Sequence, residues 1–192
     1  MTGNTLYAAA LEIQDACRAA ELRFCFIGGI AVLRWSNPRQ TLDVDVAVFT
    51  GWEDGGAVID ALLGRFEARL PGAREFAERH RVLLLRSSAG VPIDVSLAAL
   101  QFEDAMIGRA TDFQFSPGVL LRTCSAEDLL VTKCFAGREK DWMDVEGVLE
   151  RHGPGLNLGA VRRELAELAE VTGDSTRLEE FLRRAGRKGW AV

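Results

Sequence analysis

The chain has 192 residues, 48% of them apolar and 27% charged, with a formal net charge of -5. That length supports one sizeable core, or a domain of about 100 to 150 residues with a helical appendage, and no run approaches the roughly 20 apolar residues of a membrane span. The acidic balance argues against a protein that coats nucleic acid by bulk electrostatics, while leaving a local basic patch or an RNA substrate open.

The opening residues lack a basic segment followed by an apolar one, so no secretory signal is evident and a cytoplasmic setting without membrane contact is expected. Residues 6–20 carry Leu6, Ala9, Ala10, Ile13, Ala16 and Cys17 at spacings of three and four, which predicts a helix with one apolar face. "FCFI" then reads as a short strand cut off by Gly28 and Gly29, with "IAVLRW" as the helix that follows. "SNPRQT" supplies loop chemistry, and the chain re-enters a strand at Leu42. "VIDALLGRF" reads as a helix, "RVLLLRSS" and "VPIDVSLA" as two strands, "FEDAMIGR" as a short helix, and "DFQF" and "VLLRT" as edge strands. Alternating strands and helices predict a mixed α/β fold (α+β, with a mixed sheet). From Ser125 the pattern turns helical: Ser125 with Asp128 three residues on forms a capping signal ahead of "LLVTKCF", and three further helical stretches follow through "KDWMDVEGVLERHG", "LGAVRRELAELAEVTG" and "TRLEEFLRRAG". The expected organisation is an α/β domain over residues 1–123 and a helical region over 124–192.

Cys17, Cys25, Cys124 and Cys134 are widely separated and show no CxxC spacing, so they read as buried thiols in a reducing compartment. His80 and His152 form no cluster with cysteine or carboxylate, which disfavours a zinc site or a Ser-His-Asp triad.

The chemistry concentrates in residues 26–49. In a strand, Asp43 and Asp45 face the same way, about 6 to 7 Å apart at Cα, while Val44, Val46 and Val48 point into the core. Two such carboxylates repel unless a cation sits between them, and a hard divalent ion, Mg²⁺ (or Mn²⁺), is the natural partner. Asp94 interrupts Ile93, Val95 and Leu97 in the same manner. If its strand lies beside the first, three carboxylates converge and can hold one or two such ions. Gly28 and Gly29 precede a helix N-terminus, where the missing Cβ atoms would let a phosphate approach the backbone.

The ordered set, a Gly-Gly turn, thirteen residues, then "DVDV" and a later "IDV", resembles the nucleotidyltransferase superfamily over residues 24–97. The resemblance implies the polymerase-beta-like fold with a helical C-terminal part, metal ions on Asp43, Asp45 and Asp94, and the nucleoside triphosphate at Gly28 and Gly29. It also puts Arg39 and Thr41 at the nucleotide. The second turn residue is Gly where the family also uses Ser, so only backbone donation to phosphate is available. The segment "SAEDLLVTKCFAGREKDWMDVEGVL" is similar to the region after the catalytic domain in AbiEii-like nucleotidyltransferases, toxins of abortive-infection and type IV toxin-antitoxin pairs. This similarity implies that Lys133 contacts nucleotide phosphates and acts in catalysis, and that Arg138, Lys140 and Asp141 line or brace the same cleft, which the helical region closes. From the residues alone, Lys133 on its apolar helix needs a partner or a ligand: it holds a phosphate, pairs with Asp141 or Asp144, or reaches solvent.

The expected reaction is Mg²⁺-dependent transfer of a nucleoside monophosphate from an NTP to an acceptor hydroxyl with release of pyrophosphate, Asp94 being the candidate base. The acceptor implied by the resemblance is RNA, specifically tRNA, with a cognate antitoxin protein as partner. The alternatives are a protein-adenylylating or aminoglycoside-type enzyme, and a non-catalytic partner-binding module of the same fold. The arginine-rich runs "RFEARLPGAREFAERHR" and "RRAGRK" read as solvated surface, since glutamates accompany both, with contact to an RNA acceptor as the other reading.

Overall fold

The computed structural model describes residues 3–53, 55–187 and 189. Its chain divides into two units, one of Met1–Ile30 with Gln40–Cys124 and one of Ala31–Arg39 with Ser125–Val192.

The first unit is built on a seven-stranded mixed sheet of order β3-β4-β5-β2-β1-β7-β6. Its strands are β1 (Phe24–Phe26), β2 (Val44–Phe49), β3 (Glu67–Ala68), β4 (Val82–Arg86), β5 (Pro92–Ala98), β6 (Thr111–Ser116) and β7 (Val119–Thr123). β2 runs parallel to β5, and β1 to β7, while the remaining pairs are antiparallel. The period-two pattern explains β2 and β5: Val44, Val46, Val48, Ile93 and Val95 are fully buried, whereas Asp45, Asp94 and Ser96 on the alternate positions are half-buried. Helix α1 (Gly3–Ala19) packs on β7 and β2 through the predicted stripe, Leu6, Ala9, Ala10, Ile13, Ala16 and Cys17, all of it buried. Gln14, also buried, accepts from the Arg122 N–H at 3.0 Å and donates to the Leu120 carbonyl at 2.8 Å, which satisfies the backbone of β7. Helices α2 (Gly28–Trp35), α3 (Gly55–Leu63), α4 (Ala73–His80) and α5 (Gln101–Arg109) complete the α/β alternation. α2 starts in the first unit and ends in the second.

Three details differ from the sequence reading. β2 begins at Val44, so Asp43 stands one residue ahead of the strand. β7 is not an edge strand: it lies between β1 and β6, and β6 alone forms that edge. Within the run over residues 65–81, read as solvated surface, the sequence reading did not find β3 and α4. A two-residue strand is too short to show a period, which is why it was illegible. In that run Arg81 donates to the carbonyls of Leu97 (2.6 Å) and Gly51 (2.7 Å).

The second unit packs α6 (Ala126–Ala136), α7 (Glu139–His152), α8 (Leu158–Thr172) and α9 (Thr176–Arg187) around Leu129, Leu130, Val145, Val148, Val161 and Phe181. Ser125 caps α6 as expected, its Oγ accepting from the Asp128 N–H at 3.1 Å. Gly147 makes room for Ser36, whose hydroxyl donates to the Asp144 carbonyl at 3.2 Å. In the C-terminal basic run, Arg183 and Arg184 both pair with Glu180, and Arg184, largely buried, also pairs with Glu146. Lys188 of that run lies outside the described residues. All four cysteines are buried and unbridged. No helix among the described residues is long and apolar enough to cross a membrane.

Candidate active site

The parallel pairing of β2 with β5 sets Asp45 directly opposite Asp94, with Val44 opposite Ile93 and Val46 opposite Val95. Neighbouring strands are about 4.8 Å apart, so the two carboxylates stand side by side on the half-buried face. Asp43 precedes Asp45 by two residues on the same chain segment and is close enough for its charge to act on Asp94. Burial, and next to it that charge, hold the Asp94 carboxyl above the usual carboxylate range, although the Arg69 guanidinium pulls the other way.

Each of the three carboxylates is engaged by a protein donor. Asp45 Oδ2 accepts from the Gly29 N–H at 3.2 Å, at the positive end of α2. Asp43 Oδ1 accepts from the Thr41 hydroxyl at 3.0 Å. Asp94 Oδ1 is paired with the Arg69 guanidinium. Among the described residues no three His, Cys, Asp or Glu side chains form a ready-made set for a metal ion. The expected convergence therefore holds for the backbone register of Asp45 and Asp94, whereas the side chains turn to separate partners. The donor chemistry nonetheless suits a hard divalent cation, since all three groups are carboxylates and two of them are adjacent in register.

The two glycines have a structural reason besides the expected one. Gly28 sits at φ 51°, and a Cβ there would overlap the Asp45 carboxylate. A Cβ on Gly29 would overlap the Thr41 hydroxyl. The missing side chains thus admit Asp45 and Thr41, and the Gly29 N–H is used to orient Asp45.

Arg69 is the residue of this site that the sequence reading did not find. It follows β3, its backbone N–H donates to the Leu84 carbonyl at 3.0 Å, and Leu84 is the partner of Asp94 across β4 and β5. Arg69, just past the end of β3, lies in one row with Leu84 on β4, Asp94 on β5 and Asp45 on β2. Only the pairing order of the sheet could reveal this, because Arg69 carries no local motif.

In the second unit the remaining expected residues form a buried charge network. Lys133 Nζ lies 3.0 Å from Asp141 Oδ1 and 2.8 Å from Asp144 Oδ2, with the Lys133 side chain 8% exposed and Asp141 wholly buried. Arg39 grips Asp144 with two donors, Nε to Oδ1 at 2.7 Å and Nη2 to Oδ2 at 2.9 Å. Arg138 does the same for Asp141 from an exposed position, with Nε at 2.6 Å from Oδ2. Burial pushes both carboxyls up, but hydrogen bonds to Asp141 from Arg138 and Lys133, and to Asp144 from Arg39 and Lys133, outweigh it and leave both below the usual range. Of the alternatives open for Lys133, pairing with Asp141 and with Asp144 is what the structure contains. Lys140 is exposed on the first turn of α7.

A glycine turn entering a helix and an acidic strand pair on a mixed sheet define a nucleotidyltransferase-fold protein. Two solved structures share the fold. An antigenic nucleotidyltransferase-like protein from Paracoccidioides brasiliensis matches with a TM-score of 0.55 at 16% identity, over 93% of this chain and 94% of that one. The structure of ANT(2")-Ia in complex with adenylyl-2"-tobramycin matches with a TM-score of 0.52 at 16% identity, over 86% of this chain and 98% of that one. No curated protein is significantly similar to the chain in sequence. The chain belongs to the AbiEii family, nucleotidyl transferase toxins of type IV toxin-antitoxin systems, whose family model matches residues 10–191. It is thus a nucleotidyltransferase enzyme.

Proposed function

We propose that the protein transfers a nucleoside monophosphate from an NTP to a hydroxyl of an RNA acceptor, tRNA in the first instance, with a cognate antitoxin as its partner. The observation that carries the catalytic part is the in-register pairing of Asp45 with Asp94 beside Asp43. Family membership supports the toxin-antitoxin setting. Asp43, Asp45 and Asp94 would hold Mg²⁺ (or Mn²⁺), which when bound neutralises charge on the phosphates and lowers the pKa of the attacking hydroxyl.

In this reading the Gly28-Gly29 turn receives the triphosphate through backbone N–H groups, the Gly29 donor being shared between Asp45 and a phosphate oxygen. Thr41 fixes Asp43 through its hydroxyl. Asp94, the third acid of the set, takes the hydroxyl proton as that oxygen attacks the α-phosphorus and pyrophosphate leaves. Arg39 and Lys133 hold Asp144, and Lys133 and Arg138 brace Asp141, so that these residues form one ion-pair network beside the exposed Lys140.

The test is incubation of the purified full chain with each α-³²P-labelled NTP, Mg²⁺ and bulk tRNA, beside the Asp43→Ala/Asp45→Ala variant. Label on RNA with the intact acids and none with the variant is expected. Label on a protein or on an aminoglycoside instead, with RNA unlabelled, would replace the RNA acceptor. No transfer to any acceptor by a folded, nucleotide-binding protein would refute the enzymatic reading.

A further inference from the structure

Arg69 is built into the acidic row rather than placed near it. Its backbone is hydrogen-bonded to Leu84 on β4, so its Cα is held one strand beyond that residue, and its side chain crosses β4 to reach Asp94 on β5. The guanidinium is mostly buried, the side chain being 22% exposed, and its Nε is a buried donor without a hydrogen-bond partner among the described residues. An arginine that leaves a donor unsatisfied in a partly desolvated site incurs a cost, and the ion pair with Asp94 is the interaction that offsets it. Only Oδ1 of Asp94 is held by that pair, and no carboxylate other than Asp94 is paired with Arg69 among the described residues.

We propose that Arg69 is a resident cation of the carboxylate site: it holds Asp94 by Oδ1, competes with a divalent cation for that carboxylate, and so sets how tightly the site takes metal. The inference rests on the metal-binding reading of Asp43, Asp45 and Asp94. With Arg69 present the four side chains carry a formal charge of minus two, and without it minus three. The guanidinium charge repels a dication bound between the acids and must be displaced from Asp94, or share it, for the third carboxylate to become a ligand. Taking a separation of about 6 Å, Coulomb repulsion between a unit charge and a dication weakens binding about tenfold even at the dielectric constant of water. Arg69 is in this sense a positioning residue acting through Asp94. It keeps the acids from repelling one another when no cation is bound, and it prevents the site from holding a cation too tightly to exchange with a metal-nucleotide complex.

The experiment is Mn²⁺ titration of the full chain without nucleotide, followed by the electron paramagnetic resonance signal of the unbound ion. Arg69→Ala is expected to bind Mn²⁺ about tenfold more tightly than the parent, from the same Coulomb argument. Arg69→Lys, which keeps the charge, is expected to stay close to the parent, and Arg69→Ala/Asp94→Asn to lose the gain. Arg69→Gln, close in shape and uncharged, carries the same expectation as Arg69→Ala should the alanine variant not fold. If the parent binds Mn²⁺ and Asp45→Asn abolishes that binding, but the uncharged Arg69 variants bind equally or more weakly, the role of Arg69 is overturned and the metal reading stands. If Asp45→Asn leaves Mn²⁺ binding unchanged, the metal reading falls and Arg69 with it.

Discussion

Replacing Lys133 by Met removes the cation between Asp141 and Asp144 while keeping the side chain's length and apolar stem. The structure sets the magnitude. The ammonium lies 3.0 and 2.8 Å from the two carboxylates, and all three groups are withdrawn from water, the side chains being 8%, 0% and 3% exposed. Breaking a buried pair by deleting one partner costs about 3 to 5 kcal/mol, because a charge is left uncompensated. Here each carboxylate keeps an arginine, Arg138 on Asp141 and Arg39 on Asp144, so the lower end applies, about 3 kcal/mol. For a chain of this size that lowers the thermal midpoint by about 6 to 12 °C, read by circular dichroism at neutral pH. Lys133→Arg retains the charge and is expected to recover part of the loss. A Met variant whose midpoint stays within about 2 °C of the parent would show that the network does not contribute as argued, and would return Lys133 to the role of a ligand residue.

Two other predictions rest on equally local geometry. Gly28→Ala places a Cβ against the Asp45 carboxylate at a backbone φ of 51°, and is expected to cost about 1 to 3 kcal/mol and to depress nucleotidyl transfer by displacing Asp45. Gly51→Ala is the control, with a similar φ of 61° and nothing near its Cβ, so equal losses in the two variants would refute the crowding argument. Acid sensitivity follows from Asp141 and Asp144, whose folded carboxyls lie below the ordinary value of about 3.9. Their contribution is fully present above that value and is lost as pH falls through the lower folded pKa. Urea unfolding monitored from about pH 4 downward is therefore expected to show a steeper loss of stability in the parent than in Asp144→Asn, by up to about 1.4 kcal/mol per pH unit for the group removed. Parallel profiles would contradict the assignment.

The sequence by itself determined those features that depend on neighbours along the chain. Alternation at Val44, Val46 and Val48 and at Ile93, Val95 and Leu97 specified two strands with acids on the opposite face, and the three-and-four spacing from Leu6 to Cys17 specified a buried helix stripe. Ser125 announced the start of α6 because a cap is made within three residues. Tertiary structure alone decided which strands pair and which charges meet. Asp45 and Asp94 are 49 residues apart, and a period of two says which face a residue takes but not which strand lies beside it. The same holds for β7, whose place inside the sheet follows from a parallel pairing with β1 that no local pattern encodes. Arg69 and the Lys133 network were undecided for a further reason: a long cationic side chain is compatible with solvent, a ligand or an ion pair, and only packing at its tip selects among them. The glycines show the limit most clearly, for the sequence announced that two side chains were missing, and the fold revealed that Asp45 and Thr41 fill the space.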